Sequence, residues 1–128
     1  MSSMLAGIVF ESRDPPALAR FWAAVLDGFA VRDYDAAEIA RLAALGQTPQ
    51  TDPTVMVDGP GLTLCFQRVA NRPLAAAGRH RLHLDVRAAD RQSEVRRLTA
   101  LGASVEREAN GYTVLRDPEG NVFCVFPA

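Results

Sequence analysis

GIVFESRDPPALARFWAAVLDG, residues 7–28, is the stretch whose reading decides the fold. Its lead-in, LAGIVFES from Leu5 to Ser12, is apolar and β-branched, and it runs straight into Asp14-Pro15-Pro16. An aspartate N-cap followed by proline in the first turn starts a helix, because the missing proline N–H would have no partner there anyway. A strand therefore feeds directly into a helix. In that helix Leu18, Phe21, Trp22, Val25 and Leu26 fall on one stripe at helical spacing, and Gly28 supplies the stop. Trp22 sits in the middle of the stripe, where a large aromatic belongs to a core and not to a ligand platform.

Downstream, FAVRDY is short and extended, and Asp35-Ala36-Ala37-Glu38 is a capping arrangement for a second, narrower helix carrying Ile39, Leu42 and Ala43 up to Gly46. TVMVDGPGLTLCFQRV then holds two alternating runs around Asp58-Gly59-Pro60-Gly61, a turn cluster that predicts a hairpin. ANRPLAAAG (70–78) has no periodicity and reads as the connection between halves. The second half opens with RHRLHLDV, in which Leu82, Leu84 and Val86 alternate with Arg81, His83 and Asp85. A helix from Asp90 to Gly102 follows, then ASVERE, GYTVLRD, the turn Asp117-Pro118-Glu119-Gly120-Asn121, and NVFCVF. The order of the first half recurs, so a duplicated βαβββ unit accounts for the chain with one assumption. The expected organisation is one α+β domain over 1–128, with modules at about 4–69 and 79–128.

Composition agrees with that frame and removes several classes of function. At 128 residues, 48% hydrophobic and 23% charged, the chain is long enough to bury one core without disulfides or a structural metal. The formal net charge is −1, and the 14 basic residues are scattered with no run longer than two, so nucleic acid is not an expected partner. Every basic residue is arginine, which excludes a Schiff-base or phosphate-loop lysine. No apolar run approaches the roughly 20 residues that cross a bilayer, and MSSMLAG has no signal-peptide pattern. No membrane partner is expected, and a cytoplasmic location follows, with Cys65 and Cys124 reduced.

Three segments, GIVFESRDPPALARFWAAVLDG, RLHLDV and LRDPEGNVFCVF, resemble the vicinal oxygen chelate superfamily, and most closely its short bacterial glyoxalase-like members, the glyoxalase/bleomycin resistance protein/dioxygenase group. The Asp-Pro-x-Gly-Asn turn is the most specific of these features, and the helix around 36–45 is the main departure. The resemblance implies two βαβββ modules forming a curled mixed sheet, with a ligand or metal in its concave face, and a homodimer.

Strand alternation sorts the side chains, because neighbours in a strand point to opposite faces. Ile8 and Phe10, Leu62, Leu64 and Phe66, Leu82, Leu84 and Val86, and Phe123 and Val125 should pack under helices. Gly7, Val9, Glu11, Thr63, Cys65, Gln67, His83, Asp85, Val122, Cys124 and Phe126 should face the cup. Metal-dependent members of the superfamily hold one divalent ion with His, Gln and Glu on the first, fourth, fifth and eighth strands. Here the resemblance puts Gly7, either Cys65 or Gln67, His83 and Cys124 at those places, so His83 is the one sure match.

Three readings of this cup are open. A rearranged soft-ligand site of His83, Cys124 and either Cys65 or Glu11 would favour zinc. Alternatively, both thiols fill an apolar wall and His83 is a strand histidine bonded to Asp85 or a neighbour. Between them lies a cup that binds without metal or other cofactor, in which His83, Asp85 and Glu11 orient a small organic ligand among Val9, Val122 and Phe126. On that reading, His83, Asp85 and Glu11 are the catalytic candidates for general acid–base chemistry of isomerase, lyase or hydrolase type. Thr63, Cys65, Gln67 and Cys124 complete the ligand-binding set. A non-catalytic sequestering protein like the drug-binding resistance members is the alternative, and a module with a filled cup is the third. Arg79-His80-Arg81 reads as a solvated strand start, and His80 has no assigned role.

Overall fold

A computed structural model of the chain describes residues 2, 4–70 and 82–128. The connection ANRPLAAAG beyond Ala70 and the cluster Arg79-His80-Arg81 lie outside the described residues. The chain falls into two compact units, Met1–Arg72 and Pro73–Ala128.

In the first unit, β1 (Gly7–Ser12) leads to α1 (Pro15–Val25), β2 (Ala30–Val31), α2 (Ala36–Ala44), β3 (Thr54–Gly59) and β4 (Leu62–Arg68). The strands form one mixed sheet in the order β1-β4-β3-β2, with β1 parallel to β4 and the other pairs antiparallel. Helix α1 starts as the sequence predicts: the Asp14 carboxylate accepts the Ala17 N–H, and two prolines occupy the first turn. Its stripe of Leu18, Phe21, Trp22 and Val25 is buried on the sheet. There Phe10 stacks on Phe66 and meets Trp22, with centroids 4.9 and 5.8 Å apart. Asp35 caps α2 by accepting the Glu38 N–H at 2.8 Å, as the capping pattern predicts. The stripe of α2 is thinner than expected, with Leu42 buried and Ile39 46% exposed. The hairpin turn is tighter than the four-residue cluster, because Asp58 and Gly59 still pair with β4 and only Pro60 and Gly61 lie between the strands.

The second unit repeats the plan with β5 (Leu84–Ala88), α3 (Arg91–Ala100), β6 (Ser104–Ala109), β7 (Tyr112–Arg116) and β8 (Val122–Pro127). Its sheet order, β5-β8-β7-β6, and its single parallel pair, β5 with β8, match the first unit. Leu98 of α3 is buried with Leu115, Phe123 and Val125. Strand β5 is shorter than the alternation suggests, for it begins at Leu84, and Leu82, expected to pack, is 86% exposed. The reason is pairing: the first β5 residue with a partner on β8 is Leu84, opposite Phe123. The Asp117–Asn121 turn is held by the buried Asp117 carboxylate, which accepts the N–H groups of Glu119 and Asn121 and the Asn121 side-chain amide. Two mixed four-stranded sheets with helices make an α+β fold, as the sequence predicts. No helix among the described residues is long and apolar enough to cross a membrane.

Candidate functional site

In each unit a helix covers one face of the sheet and leaves the other to the remaining side chains. On the first sheet the helix-free face carries Val9 and Glu11 of β1, Thr63, Cys65 and Gln67 of β4, and Thr54, Met56 and Asp58 of β3, all in facing register. On the second it carries Asp85 of β5, Val122, Cys124 and Phe126 of β8, and Tyr112, Val114 and Arg116 of β7. The ten expected site residues thus divide by unit. Val9, Glu11, Thr63, Cys65 and Gln67 share the first sheet, while His83, Asp85, Val122, Cys124 and Phe126 belong to the second.

The second unit holds the tighter chemical cluster. His83 stands one residue before β5, and its Nε2 lies 3.2 Å from Asp85 Oδ1, both side chains being about half exposed. Asp85 is in register with Cys124, whose sulfur is buried. One donor atom from each of the three lies within 4.8 Å of the others. Burial pushes the Cys124 thiol above its ordinary value, and the Asp85 carboxylate beside it adds to the shift, because a thiolate there would be both poorly solvated and next to a like charge. Two residues along β8, Phe126 stacks on Tyr112 with centroids 4.8 Å apart. An imidazole, a carboxylate, a neutral thiol and an aromatic pair on one sheet face can hydrogen-bond and stack a small organic molecule.

The first unit contributes a polar arrangement that sequence reasoning missed. Arg32, just past β2, grips Asp58 through two 2.8 Å bonds, and Thr63 donates to the same carboxylate at 3.0 Å. These bonds hold the Asp58 carboxyl below its usual range, the Arg32 bond first. Tyr34 donates to the buried Asp52 at 2.7 Å, and burial with that bond raises the phenol well above its ordinary value. A groove of about 530 Å³ runs past Arg32, Tyr34, Glu38, Arg41 and Met56. No local spacing announces it, since its partners are 18 to 26 residues apart in the chain.

The four-position metal set that the resemblance implies does not fit this chain. Gly7 offers no side chain, and a Cβ built there would stand 2.6 Å from the Thr63 carbonyl oxygen, so the place is closed to a ligand as well as lacking one. Cys65 is a thiol raised by burial, and Gln67 is a neutral amide. Overlaying the modules on their N-cap aspartates, Asp14 and Asp90, sets Gly7 against His83 and Val9 against Asp85. The register sets Cys65 against Cys124. Only the second copy has donors at the first two of those places.

The sequence matches the family described as "Glyoxalase-like domain" over residues 7–126. Solved structures give the same fold. A glyoxalase/bleomycin resistance protein/dioxygenase family enzyme from Burkholderia phytofirmans PsJN is 18% identical, with a TM-score of 0.65 and 98% of each chain covered. A glyoxalase/bleomycin resistance protein from Albidiferax ferrireducens T118 is 19% identical, with a TM-score of 0.60, covering 98% of this chain and 99% of that one. The trypanothione-dependent glyoxalase I of Leishmania major is 16% identical, with a TM-score of 0.62, covering 98% and 87%. No curated protein sequence matches.

Proposed function

The chain belongs to the glyoxalase-like domain family of the vicinal oxygen chelate superfamily, and on that premise we propose that it binds a small organic molecule on the helix-free face of its second sheet. The reading is carried by one observation, the His83–Asp85 pair at 3.2 Å on an accessible face. Asp85 fixes the imidazole by hydrogen bonding, leaving the other ring nitrogen to exchange a hydrogen bond or proton with the ligand. Tyr112 and Phe126 offer it a flat apolar surface, and Cys124 and Val122 fill the floor. As an enzyme, the protein would use His83 as the acid–base group, with Asp85 stabilising the imidazolium, in an isomerase, lyase or hydrolase step. Glu11, the third catalytic candidate, stands on the first sheet opposite Gln67.

A thermal-shift screen of small metabolites and aromatic amines tests the reading, because a compound that binds only the folded state raises the melting temperature by mass action. Compounds that stabilise the wild type should lose that effect in His83→Ala. Equal stabilisation of both proteins, or loss of it in Arg32→Ala instead, would move the site to the first unit.

A further inference from the structure

The groove between α2 and β3 is lined by a buried charge that has no counter-ion. Asp52 is 3% exposed. Its Oδ2 accepts the Tyr34 hydroxyl at 2.7 Å and its Oδ1 accepts the Thr54 N–H at 3.0 Å, so both oxygens are acceptors and the group is a carboxylate. Both donors are neutral. Among the described residues no arginine pairs with Asp52, because Arg32 is held by Asp58 and Arg41 by Glu38, each through two bonds. Neutral donors satisfy hydrogen bonding but leave the charge itself uncompensated, and a buried charge is costly until an opposite one joins it. We infer that the groove binds a small organic cation, an ammonium or guanidinium compound with a flat apolar body, for which Asp52 is the counter-ion.

The rest of the lining agrees with that guest. The volume of about 530 Å³ falls within the roughly 300–1,000 Å³ typical of small-molecule sites. Tyr34 and Met56, both half-buried, offer an aromatic ring and a thioether to the body of the guest and to its charged end. Four carboxylates, Asp33, Asp35, Glu38 and Asp52, stand against two arginines, Arg32 and Arg41, so the excess charge on the walls is negative and an anion is disfavoured. The site belongs to the first module alone. It depends on α2, and the second module has no such helix, β6 and β7 being joined by Asn110 and Gly111. The same helix is the main departure from the glyoxalase-like pattern, so the groove is a feature of this chain and not of the shared cup.

The groove shares no residue with the His83–Asp85 face, and the inference goes beyond the small-molecule reading without depending on it. The probe is benzylammonium, with benzyl alcohol as its neutral counterpart, titrated at pH 7 into the full isotope-labelled chain and followed by amide NMR shifts. Saturable shifts are expected within 32–38 and 52–56, with an affinity at least ~10-fold above that of the alcohol and falling as salt is raised. Asp52→Asn should bring the amine down to the level of the alcohol, and His83→Ala should leave it unchanged. Because Asp52 is buried, Thr54→Arg is the second variant: Thr54 is exposed on the groove wall, and an added guanidinium there should abolish binding of the amine. It decides the matter if Asp52→Asn fails to fold by circular dichroism. Absence of saturable shifts at those amides, equal affinity for amine and alcohol, or undiminished amine binding in either groove variant would overturn the inference. Loss of amine binding in His83→Ala would overturn it too, and would assign the cation to the second sheet.

Discussion

Gly7 shows how a single residue decides what a site can be. It faces Thr63 in the parallel β1–β4 pair, and an added Cβ would press on a backbone carbonyl that cannot swing away. Gly7→Ala is therefore expected to cost about 1–3 kcal/mol through overpacking. A urea midpoint equal to that of the wild type would contradict the close approach. The two thiols give a second residue-scale expectation. Burial raises both, and Cys124 has Asp85 beside it where Cys65 has the opposing Arg32. Reaction with a thiol reagent should be slow at neutral pH, rise as pH climbs through 9, and be slower at Cys124, as site-resolved mass spectrometry would report; fast reaction of Cys124 at pH 7 would contradict it. Alternation alone placed His83, Asp85 and Cys124 on one face, because a parity of two survives any error in strand ends. Arg32 with Asp58 and Tyr34 with Asp52 were not legible, since each pair joins the residues just after β2 to β3 or its lead-in, and no spacing in the sequence encodes that approach.

At the scale of elements, helix starts were the most readable feature, because an N-cap is a local bond between a side chain and a backbone N–H two or three residues on. Asp14, Asp35 and Asp90 all make that bond. Asp14→Ala should destabilise the protein by about 1 kcal/mol, measured by chemical denaturation. No change would mean that the prolines alone fix the start of α1. Strand ends were less readable: β5 begins at Leu84 because pairing with β8 begins there, a partner that the local pattern cannot see. The tie between α3 and its sheet has a pH signature. Glu108 accepts bonds from Thr113 and Arg91, which hold it below its ordinary 4.5. A carboxyl depressed in the folded state is protonated more readily in the unfolded chain, so its stabilisation is present at neutral pH and fades as pH falls through 4.5 and below. Glu108→Gln should therefore show a smaller drop in melting temperature between pH 7 and pH 4 than the wild type. Parallel acid limbs for the two proteins would show that the tie carries no linkage.

For the molecule as a whole, duplication was visible in the order of elements, and both units obey the same sheet order of first, fourth, third and second strand. What duplication conceals is that the copies have diverged in chemistry. Where the second carries His83 and Asp85 beside its cysteine, the first carries Gly7 and Val9, and it has α2 and a polar groove of its own. That asymmetry is the basis for placing function on the second sheet. The direct test is an amide and imidazole NMR titration of the full chain with a compound found in the stabilisation screen. Perturbed resonances are expected at His83 and along 84–87, 112–116 and 122–126. Shifts confined to 7–11, 32–41 and 54–67, with the His83 imidazole unmoved, would contradict it.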